Sequence, residues 1–235
     1  MYVSLWLWLQ TAEGMGPVGA GLALLPLSLA GFLVAAASGK LLHGASHRIT
    51  IGGGLLLIAA GALLQGWMLD AGDGWTALVP GLAVTGVGVG LISPALAAAA
   101  MGAVPPARAG MAGGALNTAR QLGMALGIAV LGAVFHTGLA DGLAGSGQPH
   151  GTAAALAGGG AARLLDTVPG AGSWVEAAFA SGLRDTFWVS GAMGLAGALI
   201  LFVLVRRPVA GSGGKGPVPV PVPGQGSAPA ERASA

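Results

Sequence analysis

The sequence predicts an all-α, polytopic transmembrane helical bundle, and three observations predict it. Only 8% of the 235 residues are charged and 54% are hydrophobic, whereas a soluble domain carries about 25% charged residues to cover its surface. Apolar stretches near the roughly 20 residues that a bilayer requires recur along the chain. The charges between these stretches segregate by sign.

Length and apolarity predict five spans, at residues 17–40, 50–69, 75–101, 109–135 and 186–205. An apolar segment before them, residues 2–9, is too short to cross a bilayer, and we interpret it as the end of a helix whose beginning is missing. The transmembrane domain is predicted over residues 1–206. It includes a long outer segment, about 137–185, that is rich in Gly and Ala, with weakly amphipathic stretches around 153–165 and 174–183. Residues 207–235 are rich in Pro and Gly, which favours a disordered tail.

The loops between the spans alternate in charge. If the spans alternate in direction, seven of the ten Lys and Arg residues share one side: Lys40, Arg48, Arg108, Arg206, Arg207, Lys215 and Arg232. The other side receives seven of the eight acids: Glu13, Asp70, Asp73, Asp141, Asp166, Glu176 and Asp185. The positive-inside rule then predicts a multi-pass protein of the cell membrane with its C-terminus in the cytoplasm.

The sequence lacks the residues and motifs that several kinds of catalytic or binding site require. The chain has no cysteine, so disulfides and thiol nucleophiles are excluded. His43 and His47 are four residues apart but lack a third ligand, which does not predict a metal site. No G-x-S-x-G or H-E-x-x-H motif occurs, and a net charge of +2 gives no reason to expect a nucleic-acid partner. We therefore predict no enzyme activity, metal or cofactor.

The fourth span carries the most informative polar residues. Asn117, Arg120 and Gln121 are spaced i, i+3 and i+4, so they share one helical face. Arg120 lies about 18 Å along the helix from Arg108, near the middle of the membrane. A cation there costs at least about 2.5 kcal/mol unless it faces protein or a wet cavity. Two interpretations stay open: Arg120 lines a translocation path or pairs with a buried carboxylate, or it binds backbone carbonyls of a neighbouring helix and fixes the packing.

Glycine and proline residues occur at several positions within the predicted spans. Small residues let membrane helices approach closely, which predicts packing surfaces at Gly86 and Gly90 in the third span and at four glycines of the fourth: Gly110, Gly114, Gly123 and Gly127. Pro26 and Pro94 fall within predicted spans, where proline removes a backbone hydrogen bond and kinks or breaks a helix.

Four runs together resemble one family. The runs at residues 21–27, 86–94, 104–110 and 116–123 are similar to the C-terminal half of major facilitator superfamily transporters, and most similar to the branch of fourteen-helix drug:proton antiporters. The resemblance covers about residues 2–206. It implies proton-coupled efflux of drugs or other small molecules, by alternating access at a site between two halves. Asn117, Arg120 and Gln121 would face that site.

Two departures from the family pattern matter. The gating motif G-x-L-x-D-R-x-G-R-R is matched at Gly39, Leu41 and Arg48, but His43 replaces its acid and Ser46 its second glycine. The N-terminal half, which carries the best-defined gating motif and the usual proton-coupling acids, is absent. The resemblance thus implies an incomplete C-terminal half embedded in the bilayer. The alternative is a truncated fragment that transports nothing, or a half-transporter that needs a partner chain.

Overall fold

The computed structural model describes residues 2–11, 14–41, 46–69, 74–144, 151–168 and 170–204. Those residues form helices and turns and contain no strand, so the predicted all-α class is confirmed. Within these described ranges, nine α-helices follow one another: α1 Tyr2–Thr11, α2 Pro17–Ala23, α3 Leu25–Leu41, α4 His47–Met68, α5 Val79–Gly102, α6 Ala109–Gly142, α7 Thr152–Ala157, α8 Ala161–Thr167 and α9 Ala171–Leu204. Short 3₁₀ turns, Trp75–Leu78 and Pro106–Arg108, lead into α5 and α6.

Four helical segments in the described part of the chain are long and apolar enough to cross a membrane: His47–Met68, Trp75–Gly102, Pro106–Gly142 and Ala171–Leu204. A fifth crossing arises if α2 and α3 count as one broken span, since the two are bent by 46° at Leu24. Pro26 explains the break, because it has no N–H to offer the carbonyl of Leu22 and its ring crowds that carbonyl. Pro94 lies inside α5 without interrupting it.

The spanning helices lie side by side in the order α3, α5, α4, α9, α6. We call the end where α4 begins and α5 and α9 finish the basic end, since Arg48 and Arg108 lie there. The opposite, acidic end carries Asp141, Glu176 and Asp185. Because α4 lies between α5 and α9, it is the helix most enclosed by the bundle.

Glycines bring α4 and α5 into backbone contact. Gly54 on α4 faces Gly88 on α5, and Gly61 faces Gly81. On each helix the two glycines are seven residues apart, which is about two helical turns. A Cβ atom at Gly88 would lie 2.6 Å from the carbonyl oxygen of Gly54, and one at Gly61 would lie 2.8 Å from that of Gly81. No side chain fits at these positions, so the seam depends on glycine on both helices.

A buried polar pair fastens the same seam. The Nε2 atom of Gln65 on α4 donates to the Thr85 hydroxyl on α5 at 3.3 Å and to the carbonyl of Gly61 at 3.1 Å. The Thr85 hydroxyl in turn donates to the carbonyl of Gly81 at 2.8 Å. Both side chains are fully buried. Hydrogen bonds between membrane helices contribute about 0.6 kcal/mol on average, so this pair supplements the close packing rather than replacing it.

The acidic end extends well beyond a bilayer. Helices α6 and α9 each have 34 residues, or about 51 Å at 1.5 Å per residue, against a hydrocarbon core of about 30 Å. The surplus, residues 135–142 of α6 and 171–185 of α9, packs together with α7 and α8. We call this assembly the extension. Its core consists of buried apolar side chains: Phe135, Leu139, Leu156, Val175, Phe179 and Leu183.

The extension occupies the outer segment expected for residues 137–185. Helix α6 continues to Gly142, and the amphipathic stretch at 174–183 belongs to α9, which begins at Ala171. Val175, Phe179 and Leu183 recur every four residues and lie on one face. Burying that face against Phe135, whose ring centroid is 5.9 Å from that of Phe179, stabilises the helix in this Gly- and Ala-rich part of the chain.

Phe179→Ala is expected to unfold the extension while leaving the spanning helices in place. Phe179 is fully buried, and removing a buried phenylalanine costs about 3–5 kcal/mol. Limited proteolysis between α7 and α9 measures the effect. Leu165→Ala, a change on the partly exposed face of α8, is the matched control and should cost less than about 1 kcal/mol. Equal protease sensitivity of the two variants would contradict a core at Phe179.

Candidate functional site in helix α6

Helix α6 loses its neighbours as it enters the membrane. From Phe135 to Gly142 it packs on α9, but each of residues 117–126 is exposed, which covers nearly three turns and every side of the helix. A Cβ atom added at Gly114, Gly123 or Gly127 would meet nothing within 4 Å. Along this stretch, α6 is therefore without a packing partner in the part of the chain that the structure describes.

The unpacked stretch has two different sides. Asn117, Arg120 and Gln121 are exposed and lie on one side, as their spacing predicts. Leu122 and Leu126 are exposed on the opposite side. Lipid tails suit the leucine side, because its hydrocarbon loses nothing by contact with other hydrocarbon. The polar side requires an environment that can form hydrogen bonds.

The position of Arg120 sets the strength of that requirement. It is eleven residues after Ala109, where α6 begins, or about 17 Å along the axis and so halfway across a hydrocarbon core of about 30 Å. Among the described residues, no carboxylate and no backbone carbonyl of a neighbouring helix accepts a bond from Arg120. An arginine facing lipid there would cost at least about 2.5 kcal/mol. Water, a ligand or a polar surface outside the described residues must therefore adjoin this side of α6.

The other residues predicted from motifs lie away from this face. Gly39 and Leu41 belong to the last turn of α3, and His43 lies outside the described residues. Arg48 is in the first turn of α4, against α9. The gating-motif residues therefore belong to the basic end, whereas Arg120 lies at mid-depth.

The glycines predicted to pack fall into two groups. Gly86 and Gly90 lie at the contact of α5 with α3, where a Cβ atom at either position would collide with a carbonyl oxygen of α3, that of Leu27 or of Gly31. Gly110, Gly114, Gly123 and Gly127 on α6 face open space in the structure. The first group holds the bundle together, and the second lies on the unpacked helix.

Sequence reasoning missed the contacts between α4 and α5. The signal was present as glycines seven residues apart in both spans, with Gln65 and Thr85 one turn along from them. As for metals, the described residues hold no group of three or more His, Cys, Asp or Glu side chains placed to bind an ion.

Comparison with known proteins relates this arrangement to membrane transport. Residues 1–128 match the family model of the Major Facilitator Superfamily. The chain is 35% identical over 142 residues to a probable actinorhodin transporter of Streptomyces coelicolor, an alignment that covers 57% of this chain and 24% of the relative. It is 33% identical over 135 residues to the methylenomycin A resistance protein of the same organism, covering 56% and 27%. The chain thus spans about a quarter of the length of the curated relatives it matches.

Proposed function

The chain belongs to the major facilitator superfamily, whose members are multi-pass membrane transport proteins, and we propose that it supplies the C-terminal half of an exporter of small organic molecules. The unpacked polar side of α6 supports this proposal most directly. It presents Asn117, Arg120 and Gln121 at mid-membrane depth without a packing partner among the described residues. A translocation path between two halves would provide the polar surroundings that this face needs.

Each polar side chain of α6 suits a different part of the binding task. The guanidinium of Arg120 offers five N–H donors and a fixed positive charge, which fits an anionic or carbonyl-rich group on a substrate. The side-chain amides of Asn117 and Gln121 can both donate and accept. In a site otherwise lined by apolar residues, a few such groups orient a ligand without restricting its size closely.

The names of the relatives suggest the substrate class. One is named for transport of actinorhodin and the other for resistance to methylenomycin A. We extend this to the present chain as export of antibiotic-like small molecules. The family resemblance adds the proton as the coupling ion. Since no acid of the described α6 stretch lies beside Arg120, the proton-binding carboxylate would belong to the N-terminal half.

The DNA upstream of the codon for Met1 tests the proposed half. An in-frame continuation that encodes further spans would support a single transporter of which this chain is the C-terminal half. A separate upstream gene for the missing spans would support a two-chain transporter. If neither is present, the second candidate applies, a fragment that transports nothing. Expression of the chain with and without those spans, followed by measurement of methylenomycin A export, then distinguishes an active half from an inactive one.

We further propose that the basic end faces the cytoplasm and that the extension lies outside the cell, since basic loops are retained on the cytoplasmic side. A cysteine-free chain makes this testable by thiol labelling. In intact cells, a membrane-impermeant maleimide is expected to label Leu165→Cys on α8 and to leave Ala107→Cys, in the turn before α6, unlabelled until the cells are permeabilised. Both positions are exposed. The opposite pattern would invert the orientation.

A further inference from the structure

Two distant parts of the chain meet at the basic end of the bundle. The Nη2 atom of Arg48, in the first turn of α4, donates to the backbone carbonyl of Phe202 at 2.6 Å, across a sequence separation of 154 residues. The guanidinium carbon of Arg48 also lies 5.5 Å from the centroid of the Phe202 ring. One side chain of α4 thus contacts both the backbone and the aromatic ring of the same residue of α9.

Gly52 completes the arrangement one turn further along α4. A Cβ atom at Gly52 would lie 2.8 Å from Cε2 of Phe202 and nearer still to its Cζ atom. The ring therefore occupies the space that any side chain at position 52 would fill. Arg48 and Gly52 are four residues apart and lie on one face of α4, so the ring of Phe202 is held between a glycine and a guanidinium.

The chemistry of the contact with Phe202 explains why an arginine suits this place. The acceptor is the backbone carbonyl of Phe202 in α9, and a carbonyl oxygen has two lone pairs, so a side-chain donor can bind it in addition to any backbone partner. A charged donor makes a stronger bond to such a carbonyl than a neutral one. Contact with the ring face adds a cation–π interaction.

We propose that Arg48, Gly52 and Phe202 form a latch that fastens α9 to the first turns of α4, and that Arg48 is a positioning residue within its own bundle. The Nε atom of Arg48 is buried and finds no partner among the described residues, so the latch encloses the guanidinium. The latch holds the ends of α4 and α9 in one register, and the two helices then move together when the bundle moves. This inference does not depend on the transport activity.

Hydrogen–deuterium exchange of the last turn of α9 tests the latch in the purified full chain. Arg48→Ala removes the hydrogen bond to the Phe202 carbonyl, and Gly52→Ala displaces the ring while leaving the arginine intact. Both are expected to speed amide exchange at residues 201–204 by about tenfold, which is the scale of one charge-assisted hydrogen bond. Exchange in the middle of α4 and α5 should not change. Arg48→Lys keeps the cation but loses the planar contact with the ring, and about a threefold increase is expected.

Two matched controls separate the latch from general loosening. Arg108→Ala removes an exposed arginine at the same end of the bundle, and Gly53→Ala adds the same methyl group next to Gly52, where nothing lies within 4 Å. Neither should alter exchange at residues 201–204. The proposal is overturned if Arg48→Ala leaves that exchange unchanged, or if Gly53→Ala accelerates it as much as Gly52→Ala does. Should Arg48→Ala fail to insert into the membrane, the comparison of the two glycine variants decides alone.

Discussion

Valine in place of Gly88 is expected to separate α5 from α4 and to prevent a stable bundle from forming. A Cβ atom at this position would lie 2.6 Å from the carbonyl oxygen of Gly54 and 2.9 Å from the amide nitrogen of Ile58. Backbone atoms cannot rotate away as a flexible side chain can. The helices would have to part along their whole contact, at a cost of about 3 kcal/mol or more, the upper end of the overpacking range. The thermal midpoint of the purified protein in detergent measures this cost.

Gly53→Val is the control for that experiment. It introduces the same side chain into α4 one residue before Gly54, at a position where a Cβ atom would meet nothing within 4 Å. Its effect on stability should remain below about 1 kcal/mol, because surface changes of this kind are mild. If Gly88→Val and Gly53→Val shift the midpoint equally, the seam between α4 and α5 is not the contact that stabilises the bundle.

Arg120→Ala is expected to abolish export by the assembled transporter without reducing the amount of protein in the membrane. Because Arg120 is proposed to bind an anionic or carbonyl-rich group of the substrate, its truncation leaves that group unpaired at a cost of about 2–5 kcal/mol, which corresponds to a loss of about 30-fold or more. Insertion should become easier, since a cation that costs at least about 2.5 kcal/mol at mid-membrane is removed. Accumulation of methylenomycin A inside everted membrane vesicles, in which an exporter pumps inward, measures the effect when normalised to the amount of inserted protein.

Leu122→Ala provides the comparison on the opposite side of α6, where an exposed leucine would face lipid. Its export rate should equal that of the unaltered chain. Arg120→Lys keeps the charge but not the planar fork of donors, and an intermediate rate is expected. Normal export by a correctly inserted Arg120→Ala protein would contradict the assignment of this helical face to the translocation path.

The sequence contained enough to predict the helical class, because that class depends on local apolarity and length. Four of the five predicted spans overlap helical segments that are long and apolar enough to cross a membrane, and the first overlaps the bent pair of α2 and α3. The ends of the spans at the basic end are also a local property of the sequence, because charged residues and prolines mark where a helix leaves the lipid. An outer segment over residues 137–185 was predicted, but the packing of the extension was not, because it depends on contacts between Phe135 on α6 and Phe179 on α9, far apart in the chain. The sequence signal for this packing was the weak amphipathic pattern at residues 174–183.

In the candidate site, too, local geometry could be predicted from the sequence, whereas packing between helices could not. The i, i+3, i+4 spacing placed Asn117, Arg120 and Gln121 on one face of a helix, and that geometry follows from the sequence alone. Whether a neighbouring helix covers that face depends on how α6 packs, which the spacing does not encode. For Arg48, a family motif directed attention to a gating loop, whereas its contact with Phe202 could be found only by folding the chain.

The side-by-side order of the helices bears on how the protein is made. Helix α4 has α5 on one side and α9 on the other, yet α9 follows it by more than a hundred residues. During synthesis, α5 emerges soon after α4 and can pack on it at once, but the second side of α4 stays uncovered until residues 171–204 have been translated. Throughout that interval Arg48 has no Phe202 to bind, and a nascent chain stalled before α9 would expose a half-finished bundle to the quality-control proteases of the membrane.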